Sequence, residues 1–98
     1  MEVPITRKVS KELGIPEEEL IEKGLIAFLE KELHLAEQDI ANLRNRYGVS
    51  SPQQLEELIS ARKIYSHPAW EDLIMWENIL QHMEKVKKLL GRIQLKVA

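Results

Sequence analysis

Residues 16–47 read PEEELIEKGLIAFLEKELHLAEQDIANLRNRY, and the spacing of the apolar residues in that stretch decides the fold. Leu29, Leu33, Ala36, Ile40, Leu43 and Tyr47 alternate by four and three, the spacing of a helix packed lengthwise on another helix. Ile21 and Leu25 extend the stripe toward the N-terminus, and Leu20, Ile26 and Phe28 widen it, so this end is expected to meet more than one neighbour. Pro16 suits the first helical position, where its missing N–H has no partner to lose, and Glu17, Glu18 and Glu19 place negative charge on the positive end of the helix dipole. Gly48 supplies the left-handed residue that ends many helices. At 1.5 Å per residue the stretch makes a rod of roughly 45 Å.

A second rod is legible near the C-terminus. Pro68 suits a first helical position with Ser66 or His67 as cap, and Glu71 and Asp72 sit near the positive end of the dipole. From there Trp76, Ile79, Met83, Val86, Leu90, Ile93 and Val97 recur by three and four, with Leu73, Leu80 and Leu89 as a second apolar edge. Gly91 falls inside this pattern at a cost of about 1 kcal/mol relative to alanine.

Between the rods, Ser51 as cap, Pro52 at the first position and Gln54 three residues after the cap predict a capping box and a short helix to about Arg62. Leu55, Leu58, Ile59 and Arg62 fall on its inner face, and Lys63 to Ser66 form a connector holding Ile64 and Tyr65. Two readings compete at the N-terminus. Val3, Ile5 and Val9 alternate as in an edge strand limited by Pro4; the favoured reading is a short helix capped by Thr6, with Val9 and Leu13 inward and Gly14 at its end.

The pattern predicts a single all-α domain over residues 1–98, an antiparallel hairpin of two long helices with two short accessory helices and a coiled-coil-like seam. Its segments are an arm or short helix at 1–15, a long helix at 16–47, a short helix at 51–62 and a long helix at 68–96. Charge supports the antiparallel sense, which sets Glu17, Glu18, Glu19 and Glu22 near Lys85, Lys87, Lys88, Arg92 and Lys96. A parallel pairing would set them against Glu71 and Asp72. Two rods of this length in so short a chain leave a thin core, and a homodimer through the wide apolar end around Leu25 and Phe28 is expected.

A net charge of −2 gives no global attraction to nucleic acid or anionic membrane. No cysteine is present, so disulfides and thiolate metal sites are excluded. The first residues have no apolar signal-peptide core and no run approaches a membrane span, so a cytoplasmic location is expected.

Catalytic patterns are sparse. His34, His67 and His82 fall on three different elements, and although Glu30 and Glu37 flank His34, the paired Glu-x-x-His pattern of di-metal bundles is absent. Glu18-Glu19-Leu20-Ile21-Glu22 resembles the first metal-binding motif of the all-α nucleotide pyrophosphohydrolases, but Ala36 and Ala69 stand where a later Glu-x-x-Asp would need glutamate before Asp39 or Asp72. No enzyme activity and no cofactor or metal is expected. Tyr65, Trp70, Ile74 and Trp76 gather near the start of the last helix. They are read either as core at the turn end of the hairpin or, with Leu25 and Phe28, as a partner-binding surface.

Within Gly14–Lys31, the segments Glu19-Leu20-Ile21, Gly24 and Phe28-Leu29-Glu30 resemble the second helix of ribbon-helix-helix antitoxins. The chain also looks like small proteins paired with PIN-domain ribonuclease toxins. That resemblance implies a non-enzymatic interaction protein that neutralises a small toxin by docking an amphipathic helix, with the last helix as the docking element. Ribbon-helix-helix proteins place a strand in the major groove; here Pro4 interrupts the corresponding segment, and Arg7, Lys8 and Lys11 are the local charges available to phosphates. Protein binding is therefore expected ahead of DNA binding.

Overall fold

The computed structural model describes the backbone of residues 4–97 and the side chains of residues 4–94. Four helices follow one another: α1 (Ile5–Leu13), α2 (Glu17–Tyr47), α3 (Pro52–Ser60) and α4 (Ser66–Val97). Among the described residues there is no strand. α2 and α4 run antiparallel as a hairpin, α3 packs on α4, and α1 packs on α2. The molecule is elongated, 60 × 29 × 21 Å with a radius of gyration of 19.7 Å, where a compact chain of this length has about 13 Å.

Three of the helix ends are closed by a left-handed residue. Gly14 (φ 68°) ends α1 and Gly48 (φ 64°) ends α2, each donating its N–H to the carbonyl four residues back. Past the end of α3 the same place is taken by Arg62 at φ 57°. The Lys63 N–H reaches back to the Leu58 carbonyl at 3.0 Å, the long closing bond of a Schellman turn. α3 therefore stops at Ser60, two residues short of the sequence expectation, and Arg62 is exposed rather than on the inner face.

The start of α3 follows the capping-box expectation with one shift. Ser51 Oγ accepts from the Gln54 N–H at 3.3 Å, but Gln54 Oε1 accepts from the Ser50 N–H at 2.8 Å, one residue earlier than the usual return contact. At the start of α4, His67 has extended backbone (φ −122°, ψ 121°) and the His67–Pro68 peptide bond is cis, so the regular helix begins at Pro68.

α1 is the favoured short helix, with different ends from those expected. Pro4 precedes it, Thr6 lies inside it, and the Thr6 hydroxyl donates to Glu17 Oε1 at 2.9 Å, tying α1 to the first turn of α2. Val9 is half-buried, whereas Leu13 is exposed rather than inward. The alternative strand included Val3, which lies outside the described residues.

The core sits toward the connector end. Ala36, Ile40 and Leu43 of α2 meet Ala69, Leu73, Trp76 and Met83 of α4, with Leu55 of α3 wholly enclosed among them. Leu33, Tyr47, Val49, Ile59, Ile64 and Ile79 pack around this cluster. Val86 and Leu90 continue the buried row of α4 toward the far end, while Leu20, Ile26 and Leu29 on α2 are half-buried. Of the residues that the three-and-four spacing singled out, Ala36, Ile40, Leu43, Trp76, Met83, Val86 and Leu90 are buried and Leu29, Leu33, Tyr47, Ile79 and Ile93 half-buried, whereas Ile21 and Leu25, expected to extend the stripe, are exposed.

Candidate functional site

Two cross-hairpin contacts fix the register of α2 against α4. Near the connector, Asp72 accepts from Arg46 Nη1 at 2.8 Å and from the Tyr47 hydroxyl. Asp72 is 8% exposed, the one buried charged residue among those described. Arg46 is raised above its ordinary range, first by its hydrogen bond to Asp72 and then by that negative charge. Tyr47 is also raised, first by burial and then by the hydrogen bond and charge of Asp72. Further along, His82 Nε2 lies 3.3 Å from Glu32 Oε1. No ion pair among the described residues joins the acidic start of α2 to the basic end of α4, although the charge pattern there supports the antiparallel sense.

Beside the Glu32–His82 contact lies an open groove along one side of the hairpin. Glu32, Leu35, Ala36 and Asp39 of α2 and Glu71, Ile74, Met75, Asn78, Ile79 and His82 of α4 line it. Leu35, Ile74 and Met75 are exposed there. Phe28 lies seven residues before Leu35, and Leu89 seven after His82, so both fall on this same side of their helices. Both are exposed, Phe28 at 59%. α1 closes over the neighbouring turn of α2, where Ile5, Thr6 and Val9 share a second groove with Leu20, Ile21, Gly24 and Leu25. The result is an uncovered apolar side on a small protein, of the kind that marks interaction surfaces.

The residues expected to bind a partner are dispersed over the molecule. Leu25 and Phe28 are exposed on α2, Ile74 on α4 lines the groove, and Trp70 is exposed one turn before Ile74. Tyr65, 91% exposed, stands apart in the connector beside Ile59, Arg62 and Ile64. Trp76 is a correction: at 1% exposure it is part of the core against α2, because its position six residues after Trp70 sets it about a third of a turn around the helix from that exposed residue. Of the Leu73–Trp76 run, Leu73 and Trp76 face inward and Ile74 and Met75 face outward. Leu35 and the Asp72 anchor are the residues that sequence reasoning missed.

Arg7, Lys8 and Lys11 are all exposed, on a nine-residue helix. His34 contacts Gln38 within its own helix at 3.2 Å, and His67 pairs with Glu71 at 3.3 Å on the surface. Among the described residues no group of three or more histidine or carboxylate side chains is placed to hold a metal ion. No described helix is long and apolar enough to cross a membrane.

The architecture is that of an all-α helical hairpin with accessory helices at both ends and an open apolar side. The chain belongs to the family described as the Uncharacterized protein MJ0235 family, which matches residues 1–98. Comparison with curated proteins and with solved structures returns no match.

Proposed function

We propose that the protein is a non-enzymatic interaction module that works by docking a helical partner against the open side of its hairpin. The observation that carries this reading is the uncovered apolar row of Phe28, Leu35, Ile74, Met75 and Leu89 on a scaffold whose core residues are otherwise enclosed. Groove-docked helices bind through anchors at three- and four-residue spacing, and both walls of this groove present such spacing.

The reading is tested in native cell extract, with the tagged wild-type chain and a Leu35→Glu/Met75→Glu variant cross-linked side by side, with and without nuclease. Wild type should yield one cross-linked species in near-stoichiometric amount, insensitive to nuclease, and the variant should lose it while keeping its helical melt. Equal recovery by both chains would remove this side of the hairpin as the working surface.

A narrower role is favoured by the resemblance of residues 14–31 to antitoxins: the docked partner is then a small toxin. Co-expression with the product of an adjacent small gene that arrests growth should restore growth, and the Leu35→Glu/Met75→Glu variant should not. An adjacent gene whose product is harmless alone would count against that role.

A further inference from the structure

The α4 wall of the open side is polarised along its length. Glu71 lies at its connector end, with Asp39 of α2 lining the same groove, whereas Lys85 and Arg92 flank Leu89 at the far end. Among the described residues, Asp39, Lys85, Lys88 and Arg92 take part in no ion pair. Apolar and charged positions are also spaced evenly about the Glu32–His82 contact. On α4, Met75 and Leu89 each lie seven residues from His82, with Glu71 and Arg92 beyond them at opposite ends. On α2, Phe28 and Leu35 lie four residues before and three after Glu32.

A surface with this symmetry is complementary to itself turned end for end. We propose that the open side binds a second copy of the chain, α2 on α2 and α4 on α4 in antiparallel sense, about a two-fold axis passing beside Glu32 and His82. The inference deepens the interaction-module reading and rests on it. In this arrangement Met75 meets Leu89 of the second copy, Phe28 meets its Leu35, and Glu71 lies opposite its Arg92. Such an interface is isologous and closes on itself. The other two-fold arrangement, with the copies pointing the same way, would set α2 on α4 and bring Asp39 against Glu71 of the second copy. Like charges in register disfavour it.

The size of the face sets the strength. From Glu71 to Arg92 the helix rises about 32 Å, and two helices side by side are about 20 Å wide, giving roughly 600 Å² per copy. This is at the low end of specific interfaces, so a dimer that dissociates in the micromolar range is expected.

The absence of cysteine allows a direct test of register. Met75→Cys and Leu89→Cys chains, each prepared alone and then mixed under mild oxidation, should form a disulfide-linked heterodimer, while either chain alone should remain largely unlinked. Sedimentation equilibrium should give a wild-type dimer that Glu71→Arg and Arg92→Glu each weaken by about tenfold and that the double swap restores. A wild-type chain that stays monomeric at about 100 µM overturns the proposal. So does a dimer indifferent to both charge reversals and to the paired cysteines. If the chain is monomeric yet captures a different protein in a manner abolished by Leu35→Glu/Met75→Glu, the second copy is excluded while the interaction-module reading stands. If capture also survives that variant, both fall.

Discussion

The Tyr47 hydroxyl donates to the Asp72 carboxylate across the hairpin, joining the last residue of α2 to the second turn of the regular part of α4. A carboxylate this enclosed needs its partners, because leaving it without donors costs far more than the net gain of an ordinary hydrogen bond. Tyr47→Phe should therefore destabilise the fold by about 1 kcal/mol and Asp72→Ala by about 2 kcal/mol. The double variant should cost less than the sum, since both changes delete the same contact. Urea melts of the four proteins measure this, and strict additivity would show that the contact does not couple the helices.

The same pair gives a pH dependence with a defined sign. Tyr47 is raised above its ordinary value of 10.0, chiefly by burial and then by Asp72. A group raised on folding holds its proton more tightly in the folded state, so its contribution is complete below about pH 10 and is lost as pH rises through the folded value. The melting temperature of wild type should fall as pH rises above about 10, more steeply than that of Tyr47→Phe. Parallel curves would exclude Tyr47 as the source.

Arg62 holds a left-handed conformation that costs a side-chain-bearing residue about 1–2 kcal/mol. Arg62→Gly relieves it while adding freedom to the unfolded chain, for a net gain of about 0.5–1 kcal/mol. Thermal melts should show a rise of about 4 °C. A fall would mean that the Arg62 side chain makes a stabilising contact that outweighs its backbone cost.

Trp76 and Phe28 should respond in opposite ways to substitution. Trp76→Ala opens a large cavity in the enclosed cluster with Leu43 and Leu55 and should cost about 3–5 kcal/mol. Phe28→Asp, on the open side, should leave the stability of the isolated chain within about 0.5 kcal/mol. Chemical denaturation at a concentration low enough to keep copies apart checks both.

How far the sequence carried this structure depends on which residues are considered. The rows from Ala36 to Leu43 and from Trp76 to Leu90 were legible because burial on one side of a helix leaves a three-and-four spacing that does not depend on tertiary detail. Gly14, Gly48 and the Ser51-Pro52 start were legible because their backbone demands are local. Asp72 was not, since an acidic residue early in a helix reads as a dipole partner, and only the fold brings Tyr47 and Arg46 to it. The open side was hidden for a related reason. Glu32, Asn78 and His82 interrupt its apolar residues, so each helix alone presents a mixed, solvated face, and the groove exists only where the two faces meet.

The concentration of the core at the connector end has a consequence for the order in which the molecule loosens. Leu55 and Trp76 are enclosed there and Asp72 binds the helices together, while the far end has half-buried Leu20, Ile26 and Leu29 and a nine-residue α1 resting on α2. Opening therefore begins at the tips and runs toward the turn, as a zipper does from its free end. Amide hydrogens of residues 36–47 and 69–83 should exchange only on global unfolding, those of residues 17–25 and 87–94 by partial opening at lower free energy. A chain that binds along its side would then carry its most yielding segments farthest from the turn that holds it together.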